Sequence, residues 1–129
     1  MSLPLWCLFF SAIMIFLARI PVGRAMKAAG GYNNHQPRTQ QAELTGVGAR
    51  ALAAHQNSFE AFSLFAAGVL VAEVTHTQGW LVDTFALVFL LARVIFILCY
   101  LADKPAPRSA AWTVGLLCSL LLMLSPALR

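Results

Sequence analysis

Charge is scarce in this chain. Only 11% of its 129 residues are Asp, Glu, Lys or Arg, whereas a typical soluble domain carries about 25%. Hydrophobic residues make up 60% of the chain, and the mean hydropathy is +0.74. This composition argues against a soluble globular enzyme and against a disordered or collagen-like chain. One domain of this length and apolar content is typical of an integral membrane protein.

Patterns of metal-binding, redox and nucleotide-binding residues are also missing. The cysteines lie inside apolar segments, at spacings that fit no metal or redox motif, and they are Cys7, Cys99 and Cys118. His, Cys and acidic residues show no metal-ligand spacing, so we expect no metal. No complete phosphate loop or nucleophile elbow is present. The basic residues are separated by long apolar runs, which argues against a nucleic-acid partner.

Four apolar segments are each long enough to cross the hydrocarbon core of a bilayer, at about residues 3–20, 49–74, 80–102 and 110–128. Because backbone polar groups have no partners in lipid, each segment is predicted to be an α-helix. Two short connections favour antiparallel neighbours. We therefore predict an all-α membrane protein, a single domain over residues 1–129 that folds as a four-transmembrane-helix antiparallel bundle.

The distribution of cations predicts the orientation of the bundle. The first and third connections and their edges carry the cations Arg19, Arg24, Lys27, Arg38, Arg50, Lys104 and Arg108. The second connection carries none, so the positive-inside rule places connections one and three in the cytoplasm and both termini outside. The cations follow the first apolar segment rather than precede it, so we expect an uncleaved helix and not a signal peptide.

One cation lies where lipid would surround it. Arg93 is in the middle of the third apolar segment, and an arginine at a helix centre costs about 2.5–3.5 kcal/mol on insertion scales. The second segment supplies a compensating anion, Glu60. We predict a contact between Glu60 and Arg93, within one subunit or across two. The pair could serve helix packing alone or belong to a site.

Helical periodicity gathers more polar residues around this pair. Residues seven apart return to nearly the same helix face. Arg50 and Asn57 therefore share a face of the second helix, with Glu60 at its edge, and Arg93 shares a face of the third helix with Tyr100. Both polar stripes approach the cytoplasmic end of the bundle.

The predicted beginning of the fourth helix adds Arg108 and Ser109 at the same end. Together these groups predict a pocket that faces the cytoplasm and whose cations suit an anionic ligand. His55 falls away from the polar stripe, and we expect it to serve packing or a subunit interface.

These residues resemble those of a known family. The stretch 54–62, with its A-x-x-N-x-x-E core, is similar to the second helix of the membrane-associated proteins in eicosanoid and glutathione metabolism, the MAPEG family. The family includes microsomal glutathione transferases, leukotriene C synthase, microsomal prostaglandin E synthase and the lipoxygenase-activating protein. The spacing of Arg93 and Tyr100, followed by Pro107-Arg108-Ser109, extends the resemblance over about residues 45–115. The segment 32–38 resembles a bacterial branch.

The resemblance implies a homotrimer in the bacterial inner membrane, surrounded by lipids, with glutathione bound as cosubstrate between neighbouring subunits on the cytoplasmic side. Asn57 and Glu60 match family residues that hold glutathione, and Tyr100 matches a contacting tyrosine. Arg108 matches the arginine that activates the thiol, and Ser109 matches a serine proposed to assist it.

The remaining expected contacts come from three cations. Arg24 matches a cytoplasmic arginine at the end of the first helix, in a loose register. Arg50 and Arg93 join the glutathione contacts by their place on the polar stripes.

The resemblance also implies a function. The expected activity is that of a glutathione-dependent transferase or peroxidase acting on a small hydrophobic electrophile or a lipid hydroperoxide. The alternative is a non-catalytic membrane protein that binds a lipid or an anionic ligand, as one family member does. Ala53 replaces a frequent arginine, Phe96 lacks a polar atom, and Trp112 replaces a tyrosine, which fits such a role. A transporter has less support, because no broken-helix pattern is present.

Overall fold

The computed structural model describes residues 1–128. The helices are α1 (Leu3–Ala28), α2 (Pro37–Ala42), α3 (Gly46–Val74), α4 (Trp80–Leu101) and α5 (Pro105–Leu124), and a 3₁₀ turn, Ser125–Leu128, extends α5. The helices α1, α3, α4 and α5 are long and apolar enough to cross a membrane. The prediction of an all-α bundle of four long apolar helices is confirmed.

Two helices extend five or more residues beyond the predicted segments, each at the cation-rich end of the bundle. α1 continues eight residues past the predicted end at residue 20, because helix-forming Ala, Arg, Met and Lys residues follow Pro21. α5 begins at residue 105 rather than at about 110, because Pro105 occupies the first helical position, where its fixed φ angle favours the helix. Arg108 and Ser109 therefore lie within the first turns of α5.

The first connection is ordered by one side chain. The amide nitrogen of Gln40 in α2 donates hydrogen bonds to the carbonyl oxygens of Met26 (3.1 Å) and Gly31 (2.7 Å). Its amide oxygen accepts a hydrogen bond from the backbone N–H of Asn33 (2.8 Å). The chain leaving α1 is thus fixed to α2, a short helix that the apolar pattern of the sequence does not indicate.

The core lies where α3, α4 and α5 meet. The rings of Phe65 and Phe89 stack with their centres 3.8 Å apart, and both side chains are fully buried. Next to them, Gly68 brings α3 against α5, since a Cβ atom at this position would lie only 2.8 Å from the carbonyl oxygen of Ser119. α1 covers the other side of α3 and α4.

The charges divide between the two ends of the bundle. At one end, the Ser2 hydroxyl donates a hydrogen bond to the carboxylate of Glu73, which joins the beginning of α1 to the end of α3. At the other end, Arg50 reaches the last residue of α4, and Arg108 lies in the first turns of α5. The cations of the first and third connections therefore share one end of the bundle.

Candidate functional site

A cavity of about 160 Å³ opens between α3, α4 and α5. Its polar lining comes from Asn57, Glu60, Arg93 and Ser119. Its apolar lining includes Leu64, Phe89 and Trp112. Three helices thus place a carboxylate, a carboxamide, a guanidinium and a hydroxyl around one space that is otherwise apolar.

Arg93 forms the floor of this cavity on α4. Its side chain is only 3% exposed, and its guanidinium carbon lies 4.1 Å from the centre of the Phe96 ring. The nitrogen Nη2 is buried without a hydrogen-bond partner. A buried donor left unpaired costs about 1–3 kcal/mol, so it marks a place where a further group is expected to bind.

Glu60 lies on the rim of the same cavity and is exposed in a single chain. Its carboxylate accepts a hydrogen bond from the amide nitrogen of Asn57 (3.0 Å) and is close enough to attract the Arg93 guanidinium. Within residues 1–128 of one chain, however, Glu60 and Arg93 share the cavity without a direct ion pair. A contact across two subunits stays a prediction.

Two more buried polar atoms of α3 lack partners. The oxygen Oδ1 of Asn57 is unpaired because its amide nitrogen faces Glu60, and Nε of Arg50 is also unpaired. Arg50 uses Nη2 to donate to the carbonyl oxygen of Leu101 (3.4 Å), at the end of α4 where helix carbonyls lack partners. Two donors and one acceptor on α3 and α4 are therefore left for other groups.

Aromatic rings connect the cavity to the cation-rich end of the bundle. The Phe96 and Tyr100 rings meet edge to face with centres 5.5 Å apart. The guanidinium carbon of Arg108 lies 4.5 Å from the centre of the Tyr100 ring. A continuous series of side chains runs from the interior of α4 to the cation-rich end of the bundle, and it consists of Arg93, Phe96, Tyr100 and Arg108. We call this series the arginine–aromatic ladder.

The structure brings together most of the predicted site residues. Asn57, Glu60 and Arg93 line the cavity, and Arg50, Tyr100 and Arg108 lie at the cation-rich end.

Three further residues of the sequence analysis lie neither in the cavity lining nor in the arginine–aromatic ladder. The Ser109 side chain is exposed, and its carbonyl oxygen accepts a hydrogen bond from Thr113. Arg24 is exposed on α1. His55 places Nδ1 3.0 Å from the carbonyl oxygen of Ile15, which joins α3 to α1.

Sequence reasoning missed Ser119. Ser119 follows Arg108 by eleven residues, three turns of a helix, so helical periodicity alone could have assigned it to the site face. Phe96 follows Arg93 by three residues on α4, so helical spacing alone places its ring next to the guanidinium. The contact of Arg108 with Tyr100 depends on packing between α4 and α5, and no sequence signal shows it. In the described part of the chain, no three or more His, Cys, Asp or Glu residues are placed to hold a metal ion.

The four long apolar helices define an integral membrane bundle. Its candidate site is the cavity between α3, α4 and α5, where several buried polar atoms lack hydrogen-bond partners within residues 1–128. The family model described as MAPEG family matches residues 3–128. The chain therefore belongs to the MAPEG family, the membrane proteins associated with glutathione and eicosanoid metabolism. Comparisons with curated proteins and with solved structures found no match.

Proposed function

We propose that this protein is an integral membrane glutathione-dependent transferase or peroxidase that acts on a hydrophobic electrophile or a lipid hydroperoxide. The observation that carries this proposal is the set of unpaired buried atoms on α3 and α4: Nε of Arg50, Oδ1 of Asn57 and Nη2 of Arg93. Two cationic donors suit the carboxylates of glutathione, and the acceptor suits one of its N–H groups.

Arg108 is the proposed activator of the thiol. A free cysteine thiol has a pKa of about 8.5, so only a small fraction is thiolate at neutral pH. A guanidinium beside the sulfur favours the thiolate and lowers the pKa of the thiol. The guanidinium of Arg108 lies over the face of Tyr100 at the cation-rich end of the bundle, and we propose that it donates to the sulfur from there. The exposed hydroxyl of Ser109, the next residue, is proposed to assist.

The site is proposed to be completed by a second copy of the chain in a homotrimer. In a single chain, α3 exposes Gln56, Glu60 and Ser63, and polar residues of a spanning helix face protein or water rather than lipid. The cavity of about 160 Å³ is also smaller than the ~300 Å³ at which small-molecule sites begin. A neighbouring subunit that covers this face would enlarge the site and bring Arg24 from its exposed position on α1.

The cellular location follows from the same proposal. We place the trimer in a bacterial inner membrane, with the Arg50 and Arg108 end of the bundle in the cytoplasm and both termini outside. The polar cosubstrate would enter from the cytoplasm, and the apolar substrate would arrive from the lipid.

A second candidate function is non-catalytic binding of a lipid or an anionic ligand. Phe96 favours it, because an apolar ring occupies the ladder position between Arg93 and Tyr100 where a polar contact to glutathione is expected. Ala53, which lacks the frequent arginine of the family, favours it too. The site would then keep cations for an anionic head group and an apolar cavity for a lipid chain.

One pair of measurements separates these functions. Glutathione is titrated calorimetrically into the purified protein, and conjugation of 1-chloro-2,4-dinitrobenzene and reduction of a fatty-acid hydroperoxide are assayed. The enzyme proposal expects glutathione binding and an activity that Arg108→Ala abolishes. The matched control, Arg38→Ala, removes an exposed arginine of α2 and leaves activity unchanged. Absence of glutathione binding at millimolar concentration supports the second candidate function, non-catalytic binding of a lipid or another anionic ligand.

A further inference from the structure

Arg19 is a second cation inside a spanning helix, and the proposed glutathione site does not use it. It belongs to α1, which is long and apolar enough to cross the membrane, and its side chain is partly exposed. A charged residue in a spanning helix is normally paired with another charge or with a polar group. Within residues 1–128, however, the Arg19 side chain makes one hydrogen bond, to a weak acceptor, the sulfur of Met26, at 3.7 Å. Arg19 therefore lacks an anionic partner in a single chain.

The guanidinium of Arg19 lies along α1 toward the cation-rich end of the bundle. Its Nη2 reaches Met26, seven residues further along the helix, and its Nη1 lies 3.5 Å from the place that a Cβ atom would take at Gly23. The missing side chain of Gly23 thus leaves the space beside which the guanidinium lies. Met26 is buried in the core, whereas Arg19 is partly exposed. The guanidinium is therefore at the edge of the core, with most of its five N–H donors unused.

The depth of this guanidinium matches the edge of a bilayer. A helix rises about 1.5 Å per residue, so Cα of Arg19 lies about 24 Å and Cα of Gly23 about 30 Å from Leu3, the first residue of α1. The hydrocarbon core of a bilayer is about 30 Å thick. Cα of Arg19 is therefore inside the hydrocarbon, whereas its guanidinium reaches the level at which the polar head groups begin. Long basic side chains commonly extend toward water in this way.

The surface of α1 changes from apolar to cationic at the same depth. Phe16, seven residues before Gly23 and hence on nearly the same side of the helix, is 68% exposed. Lys27, four residues after Gly23, is exposed on the head-group side. Along the bilayer normal, this surface thus presents an apolar ring, then the guanidinium of Arg19 and then an ammonium group. A phospholipid with a net negative charge has the complementary order, an acyl chain followed by an anionic head group.

We propose that this surface of α1 binds one anionic phospholipid. The guanidinium of Arg19 and the ammonium group of Lys27 hold its phosphate beside Gly23, and an acyl chain lies along Phe16. Arginine donates paired hydrogen bonds to phosphate oxygens, and such charge-assisted bonds are stronger than those between neutral groups. The head groups supply phosphate at the depth of the guanidinium, so the lipid provides the anion that Arg19 lacks in the chain itself.

The lipid site is separate from the proposed glutathione site. Successive helical residues are about 100° apart around the axis, so Arg24, five residues after Arg19, lies about 140° away on α1. The neighbouring subunit to which Arg24 is proposed to contribute therefore meets a different side of the helix. The lipid inference goes beyond the proposed function, and it depends neither on glutathione binding nor on any activity.

Titration of the purified protein with lipid tests this site. Wild type, Arg19→Gln and Gly23→Leu are prepared in a neutral detergent, and phosphatidylglycerol is added. The rise of the midpoint of thermal unfolding, Tm, with lipid concentration gives the affinity, and native mass spectrometry counts the bound lipids. Gly23→Leu keeps every charge but fills the space beside the guanidinium. Arg38→Gln is the matched control, because it removes an exposed arginine of the first connection.

The proposal expects one phosphatidylglycerol per subunit, with an affinity that Arg19→Gln and Gly23→Leu each lower about tenfold and that Arg38→Gln changes less than about twofold. Phosphatidylcholine, which carries a phosphate but no net charge, is expected to bind at least about tenfold more weakly. Inorganic phosphate, which has no acyl chain, is expected to leave Tm unchanged.

Three results would overturn the lipid site. Equal losses of affinity in Arg19→Gln and Arg38→Gln would indicate a general attraction to the cation-rich end of the bundle. Equal affinities for the two lipids would exclude recognition of the anionic head group, and a rise of Tm with inorganic phosphate alone would assign the site to a free anion. If Arg19→Gln fails to fold, Gly23→Leu decides, because an unchanged affinity in this variant also overturns the proposal.

Discussion

The guanidinium of Arg108, in the first turns of α5, lies over the face of the Tyr100 ring, in the last turn of α4. The short connection between the two helices includes Asp103, whose φ of 57° turns the chain sharply. Such a turn brings residues eight apart in sequence into contact. The ring thereby holds the proposed thiol-activating cation beside the last turn of α4.

The first prediction concerns this contact. We expect Tyr100→Leu to reduce kcat/KM for glutathione conjugation about tenfold, because a cation–π contact is worth about 0.5–2 kcal/mol and each 1.4 kcal/mol is a factor of ten. Tyr100→Phe keeps the ring and is expected to lose less than about threefold. An equal loss in both variants would show that the hydroxyl, rather than the ring, supports the reaction.

The second prediction concerns the pH dependence. In the proposed complex Arg108 favours the thiolate of glutathione, so we expect the pKa of the bound thiol to lie below about 8.5 and thiolate to form at lower pH. In Arg108→Ala the stabilising cation is lost, and the midpoint of the pH–rate profile is expected to move up toward the value of the free thiol. The thiolate absorbance of the bound complex gives an independent reading. A midpoint that stays unchanged in Arg108→Ala would assign activation to another group.

The third prediction concerns the anion beside the buried arginine. Glu60 is the carboxylate close enough to attract Arg93, so Glu60→Gln leaves the guanidinium with less compensation inside the membrane. We expect the variant to lower the Tm of the proposed trimer in detergent by several degrees and to increase dissociation in size-exclusion chromatography. Glu43→Gln, which changes an exposed carboxylate outside the cavity, is the control. Unchanged stability would show that Glu60 does not stabilise the buried guanidinium of Arg93.

Sequence reasoning found the parts of this structure that depend on hydrophobicity and helical period. Arg93 stood out because a charge inside an apolar run needs compensation, and Asn57 and Glu60 followed from their spacing. Side-chain packing across helices left no such pattern, so the contact of Arg108 with the Tyr100 ring and the stacking of Phe65 on Phe89 were not predictable. The beginning of α5 was missed because Pro105 and Pro107 suggested a link, although proline is favoured in the first turn of a helix.

The fourth prediction concerns the close contact between α3 and α5 at Gly68. A Cβ atom at Gly68 would lie 2.8 Å from the backbone oxygen of Ser119 and 2.9 Å from Cβ of Leu122, neither of which can move without shifting α5. Gly68→Ala is therefore expected to force α3 and α5 apart and to cost about 1–3 kcal/mol of stability, read as a lower Tm in detergent.

Gly115→Ala is the matched control for Gly68→Ala. Both glycines are buried in spanning helices, but a Cβ atom at Gly115 would meet Arg93 and Phe89 at 3.7 Å, an ordinary contact distance. Alanine gains about 1 kcal/mol over glycine in a helix, so this variant is expected to keep or raise Tm. Equal losses of Tm at both positions would indicate a general intolerance of added volume. A loss of Tm confined to Gly68→Ala would show that the close contact between α3 and α5 at Gly68 sets the spacing of these two helices beside Arg93.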